Sequence, residues 1–258
     1  MELPNYVPDG PRNFITHALP ILGEDQRIVG IAAGGSFISG SMDEYSDVDL
    51  VIVVTEASLT IETSARMEIA AKLGNLLTAF VGTHVGEPRL LICLYEGLLK
   101  ADLKFIVAED LKRRVEDPVI LYDPNRIIAK ALQESQASYP APNRQWIEDA
   151  FWVWIHYSAA KIRRGEVLEA LTLLGFIIEK VLGPLSLLDA GHQPSGVRRI
   201  EFLAPKRAAE LASLQVPHEP AAIKQAFQHA AAIYISLRKD VESRKDAEQE
   251  ALQYLTES

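Results

Sequence analysis

The stretch Gly34-Gly35-Ser36-Phe37-Ile38-Ser39-Gly40-Ser41-Met42-Asp43-Glu44-Tyr45-Ser46-Asp47-Val48-Asp49-Leu50-Val51-Ile52-Val53-Val54 decides the reading of this chain. Its end has the period of a buried strand: Val48, Leu50, Ile52 and Val54 fall on one face, and Asp47, Asp49, Val51 and Val53 on the other. Asp47 and Asp49 therefore point the same way, roughly 7 Å apart along the backbone, where their oxygens can converge on one hard cation. Two acids at a solvated strand end would give the same local pattern, so the residues before them decide between the two readings.

Those residues are Gly35-Ser36, some ten positions ahead of Asp47 and directly after the apolar run Arg27-Ile28-Val29-Gly30-Ile31-Ala32-Ala33. Glycine after a strand lets backbone N–H groups come close to a phosphate, and a serine hydroxyl adds a donor. Over residues 27–54 this arrangement of strand, Gly-Ser, spacer and Asp-x-Asp strand resembles the signature of the nucleotidyltransferase superfamily that includes DNA polymerase beta. A P-loop is excluded because Ser41 stands where its lysine belongs, and no Gly-x-Gly-x-x-Gly occurs there.

Elsewhere in the first half, residues 11–22 have helical spacing, and Ile61 to Phe80 is expected to form a helix capped by Thr60 or Thr63. Pro88 to Tyr95 is expected as a strand, Glu96-Gly97 as a turn, Asp110 to Glu116 as a short helix and Val119-Ile120-Leu121 as an edge strand. Between them Leu99, Ala101, Leu103, Phe105 and Val107 alternate onto one face, leaving Lys100, Asp102, Lys104 and Ile106 on the other.

The superfamily resemblance implies a third acid on a strand beside the Asp-x-Asp strand, and Asp102 is the acid placed inside such a strand. In aminoglycoside nucleotidyltransferases that acid is held to take the proton from the acceptor hydroxyl. Lys100 and Lys104, two positions to either side on the same face, suit a metal ligand better than a base, so ligand, base or both stay open. A plain salt bridge between Asp102 and these lysines is the competing reading.

Ser138-Tyr139-Pro140-Ala141-Pro142 is the linker candidate, dividing a catalytic domain at 1–140 from a helical domain at 141–258. The second half carries helical patterns only: one from Trp146 to Gly165, an almost wholly apolar one from Val167 to Leu182 that Gly183-Pro184 kinks or stops, and others over Ile200–Leu214 and Ala221–Ala251. The fold class expected is α+β, a mixed sheet with flanking helices followed by a helical bundle. The run Phe151 to Glu166 resembles the helical acceptor-binding domain of bacterial aminoglycoside and lincosamide nucleotidyltransferases, which implies that a lysine here, Lys161, can reach the triphosphate. A helix-end lysine favoured by the dipole would look the same. Trp152, Trp154 and Tyr157 are expected in the core rather than on a ligand.

With 258 residues, a formal charge of −9 and no basic run, the chain is expected to take no nucleic-acid partner. Its N-terminus lacks a signal-peptide pattern, and Val167–Leu188 carries Glu179, Lys180 and Pro184, so a cytoplasmic protein without a membrane partner is expected. One cysteine, Cys93, excludes an internal disulfide, and the scattered histidines offer no zinc set.

Together, the residues and the resemblance imply a transferase that moves a nucleoside monophosphate, AMP from ATP in the first instance, onto a hydroxyl of a small molecule such as an aminoglycoside or lincosamide. Asp47, Asp49 and Asp102 would hold one or two Mg ions and Gly35, Ser36 and Lys161 the nucleotide, in a monomer or homodimer. Two other readings are carried: an adenylyltransferase of the antitoxin type acting on a protein, and an inactive binding protein of the same fold. The antitoxin's partner would carry an Arg-x4-6-His motif, whose one match here is Arg12 to His17, outside the helical half.

Overall fold

In the computed structural model, which describes residues 3–58 and 63–257, the Val48–Val54 strand lies inside a six-stranded sheet. In chain order the strands are β1 (Ile28–Ala33), β2 (Val48–Val54), β3 (Leu76–Gly82), β4 (Glu87–Tyr95), β5 (Leu99–Ile106) and β6 (Val119–Tyr122), and across the sheet they run β3-β4-β5-β2-β1-β6. Only β2 and β5 pair in parallel among the described residues; every other neighbour pair is antiparallel, so the sheet is mixed.

The alternation in β2 is what seats it centrally. Val48, Leu50, Ile52 and Val54 join Leu91, Leu103 and Phe105 against helices α1 (Asp9–Glu24) and α2 (Thr63–Lys72), which contribute Phe14, Ile15, Leu22, Ile69 and Ala70. On the opposite face Val53 and Ile106 pack with Leu111, Ile128 and Ala131, the last two from helix α3 (Ile127–Gln133). Both faces being covered, the apolar part of β2 is buried and only its first residues can meet solvent. Cys93 is buried in β4, and burial pushes its thiol up to about 11.

Two compact units divide the chain, Met1–Ser138 and Tyr139–Ser258. The second is helical: α4 (Arg144–Arg163), α5 (Val167–Ile177), α6 (Gly183–Asp189), α7 (Ile200–Leu203), α8 (Pro205–Ala212), α9 (Pro220–Leu237) and α10 (Lys245–Thr256). The N-cap of α4 is Asn143, whose Oδ1 accepts from Trp146 N–H at 3.0 Å. Val167–Asp189 is long and apolar enough to cross a membrane by composition, with mean hydropathy 1.7, and half of it is buried inside the unit through residues such as Leu174, Val181 and Leu185. Gly183-Pro184 does not stop this run; a π-helical stretch at Ile178–Leu182 carries α5 into α6.

Several sequence expectations shift. The helix expected over Ile61–Phe80 ends at Lys72, and Leu76–Gly82 is instead the edge strand β3; the Thr60–Ile61 start lies outside the described residues. Asp110–Glu116 gives way to a 3-10 helix at Ala108–Arg113. Residues 221–251 form two helices rather than one, separated near Asp240, whose φ is +54°. The last helix is anchored by buried Ala251 and Leu255.

Candidate active site

Asp49 and Asp102 are register partners across the parallel β2–β5 pair, so their side chains leave the same face of the sheet side by side. Asp47, two residues earlier, joins them. One carboxylate oxygen from each lies within 4.8 Å of the others, a separation a single ion or a close pair of ions can bridge. All three acids are half-buried at the point where the sheet opens to solvent.

The loop between β1 and β2 is built around this trio. Gly34 N–H donates to Asp49 O at 3.0 Å, and Gly35 turns with φ +58°. A Cβ at Gly35 would lie 2.0 Å from Asp49 Oδ2, so the chain can pass over the carboxylate only as glycine. Farther along, Asp43 Oδ1 accepts from Tyr45 N–H at 3.0 Å and Ser46 Oγ–H at 2.9 Å, a turn that aims Asp47 into the site. Gly35→Ala is expected to push Asp49 aside, with about 1–2 kcal/mol of left-handed backbone strain besides. Mn2+ titration should show at least about tenfold weaker binding, and unchanged affinity would mean that Asp49 tolerates the methyl.

Two buried polar atoms here receive no aligned hydrogen bond, Ser36 Oγ and Asp102 Oδ1, the latter facing the Lys100 ammonium at 2.7 Å. A hydroxyl donor beside the glycine turn and a carboxylate oxygen beside two other acids are what a phosphate and a divalent cation would respectively satisfy. The residues present therefore fit a metal-nucleotide.

Two charged neighbours stand beside the acids: Lys100, the salt-bridge partner weighed for Asp102 in the sequence, and Glu116, which the sequence left unassigned. Lys100 Nζ lies 2.6 Å from Asp47 Oδ2 and 2.7 Å from Asp102 Oδ1. Burial works against the ammonium, but the Asp102 and Asp47 carboxylates outweigh it and raise its pKa. Lys104 instead pairs with Glu87 at 3.1 Å. Glu116 Oε1 accepts from Gly35 N–H at 3.1 Å, and its position after the 3-10 helix gave no sequence signal for that approach.

Beside Asp47 and Lys100 lies a cavity of about 1100 Å³, walled by Asn5 and residues 7–11, by Glu44, Tyr45 and Ser46, and by the β4–β5 turn from Glu96 to Leu99. Arg12 holds its N-terminal wall, donating to Leu3 O, Pro4 O and Val7 O at 3.1, 2.7 and 2.9 Å. Tyr45 and Leu98 stand exposed at its rim, 86% and 76% accessible.

Residues 15–113, which hold the glycine turn and all three acids, match the family model of the nucleotidyltransferase domain. This likeness to a nucleotidyltransferase domain falls within the first unit. Among solved structures, an aminoglycoside 6-adenyltransferase from Bacillus subtilis aligns over 97% of this chain and 96% of its own, at 16% identity and a TM-score of 0.37. A nucleotidyltransferase-like protein from Exiguobacterium sibiricum aligns over 94% and 78%, at 14% identity and a TM-score of 0.40. No curated protein matches the sequence.

Lys161 lies in the second unit, near the C-terminal end of α4. Its ammonium pairs with Glu166 and with Glu169 (2.9 Å) and sits 5.0 Å from the Tyr157 ring centroid; the two glutamates raise its pKa. Trp152 is buried against Phe151 and Tyr234. Trp154 packs between the exposed Trp146 and Phe176 and is only partly buried, and Tyr157 is 41% exposed, so of the three aromatics expected in the core only Trp152 lies there.

Proposed function

We propose that the chain transfers a nucleoside monophosphate, AMP from ATP in the first instance, to a hydroxyl of a small amine-bearing acceptor and releases pyrophosphate. The observation that carries this reading is the convergence of Asp47, Asp49 and Asp102 within 4.8 Å beside the Gly35 turn. Asp47 and Asp49 would hold one or two Mg ions, with Asp102 as a third ligand. Bound there, Mg would neutralise charge on the triphosphate and on the departing pyrophosphate.

The remaining work falls to the chain's own groups. Gly35 N–H and Ser36 Oγ–H donate to phosphate oxygens and fix the α-phosphorus for in-line attack. The acceptor oxygen forms its bond to that phosphorus as the bond to the β-phosphate bridge breaks, and the hydroxyl proton passes to Asp102 where that carboxylate is not taken up as a ligand. The cavity beside Asp47 suits the acceptor, since Asp9, Glu44, Asp47 and Glu96 set four carboxylates against the Lys100 ammonium, and Tyr45 offers a ring face at the rim. Such a protein would work in the cytoplasm as a monomer or homodimer, without nucleic acid or membrane.

Incubation with each nucleoside triphosphate, Mg and a panel of aminoglycosides, lincosamides and neutral polyols tests the reading. Pyrophosphate release is expected to be fastest with ATP and a polyamine acceptor; no release with any combination would reject it. For Lys161, a role on the triphosphate requires its two glutamate pairs to open. Lys161→Ala should then raise the KM for nucleotide about tenfold with kcat little changed, whereas an unaltered KM would leave Lys161 as a local tie between α4 and α5.

A further inference from the structure

We propose that the ligand-free site is held by two of its own side chains standing in for the metal-nucleotide, the Lys100 ammonium for a divalent cation and the Glu116 carboxylate for a phosphate oxygen. The inference rests on the metal-nucleotide reading above and adds how the site is kept before substrate arrives.

Lys100 lies on β5 two residues before Asp102 and on its face; because Val48 pairs with Ala101, Lys100 falls beside Asp47. Its Nζ bridges Asp47 and Asp102, two of the three carboxylates, at 2.6 and 2.7 Å. The fit is incomplete, for Asp102 Oδ1 is buried yet receives no aligned hydrogen bond. An ammonium must direct its three N–H groups, whereas a bare divalent cation accepts oxygens from any side and carries twice the charge. The lysine side chain is 42% exposed, on a flexible stem, and can leave toward solvent.

The anion side is arranged likewise. Glu116 comes 81 positions along the chain to accept the Gly35 N–H, and a Cβ at Gly34 would also meet its Oε1, at 3.7 Å. Ser36 Oγ, alongside, is buried and unpartnered. The carboxylate thus satisfies one of two donors that a phosphate could satisfy together. Metal-nucleotide would enter by exchange, a divalent cation releasing Lys100 and a phosphate releasing Glu116, so that either ligand alone competes with an internal charge of its own sign.

The full chain titrated with Mn2+ alone, followed by the free-ion paramagnetic signal, and with tripolyphosphate alone, followed by calorimetry, tests both halves. Lys100→Met should bind Mn2+ about five- to tenfold tighter than wild type, and Lys100→Arg about as wild type. Metal-free Lys100→Met should also melt at a lower temperature and recover with Mn2+. Glu116→Ala should bind tripolyphosphate about fivefold tighter. Lys100→Gln gives the same metal comparison should the Met variant not fold. Equal or weaker Mn2+ binding in the Lys100 variants overturns the cation half while leaving the metal site standing, and equal or weaker tripolyphosphate binding in Glu116→Ala overturns the anion half. No Mn2+ binding by either wild type or variant removes the metal reading and this proposal together.

Discussion

Asp49→Asn should lower the rate of nucleotidyl transfer by at least about a thousandfold, equivalent to ~4 kcal/mol of transition-state stabilisation. Asp49 is the register partner of Asp102 and the residue over which Gly35 is folded. An amide keeps its shape but removes the negative charge that would hold the cation, and metal-assisted charge stabilisation amounts to several kcal/mol. Single-turnover transfer with labelled ATP measures it, and a rate within tenfold of wild type would mean that Asp49 ligates nothing. Asp102→Asn separates the two roles left open for that residue: Mg-nucleotide binding kept with chemistry lost points to the base, both lost to the ligand.

Glu148→Ala should have the largest effect on stability, about 3–5 kcal/mol, which is a drop of roughly 10–20 °C in the melting of the helical unit. Glu148 is fully buried in α4, where Oε1 accepts from Trp152 Nε1 at 3.1 Å, Arg244 N–H at 2.8 Å and Arg238 at 3.2 Å, and Oε2 from Tyr234 Oη–H at 2.6 Å. Truncation leaves the buried Trp152 and Tyr234 donors and the part-buried Arg244 N–H without their acceptor, while Arg238 keeps Glu248 at 2.7 Å.

The same network sets a pH dependence. Burial alone would raise the Glu148 pKa, but the bonds from Tyr234, Arg244 and Trp152, with the Arg238 charge, outweigh it and lower the value. A carboxylate lowered in the folded state contributes stability that is complete above its unfolded value, about 4.3, and is lost as pH falls from there through the folded value. Thermal melts of wild type should therefore fall more steeply below about pH 4 than those of Glu148→Gln. Parallel curves would assign the acid sensitivity elsewhere.

How much of this was legible in the sequence depended on whether local periodicity was left undisturbed. β2 and β5 are buried on both faces and keep strict alternation, so Asp47, Asp49 and Asp102 could be placed on their faces from the sequence, though the parallel register that makes Asp49 and Asp102 neighbours is a tertiary fact. β3 was lost because an edge strand buries little: Leu77 and Phe80 are about half exposed, and its apolar residues fit a helical period as well as a strand's. The signal that breaks the helix is Gly74-Asn75, directly ahead of the strand.

Helix α3 was missed for a similar reason, being short, yet Asp123 announces it: its carboxylate oxygens accept Ile127 N–H at 2.7 Å and Ala129 N–H at 2.9 Å. At the site, the competing reading of Asp102 as a salt-bridge partner and the metal reading meet in one residue, Lys100, whose ammonium pairs with the carboxylates proposed for the cation. The Glu116 approach to Gly35 joins residues 81 positions apart and has no local signature at all.

The most direct measurement is a crystal structure of the full chain with Mn2+ and a non-hydrolysable ATP analogue. An anomalous peak is expected within about 2.3 Å of Asp47 and Asp49 oxygens, with phosphate oxygens on Gly35 N–H and Ser36 Oγ. An analogue bound away from the Gly35 turn, or bound with no metal between Asp47 and Asp49, would contradict it.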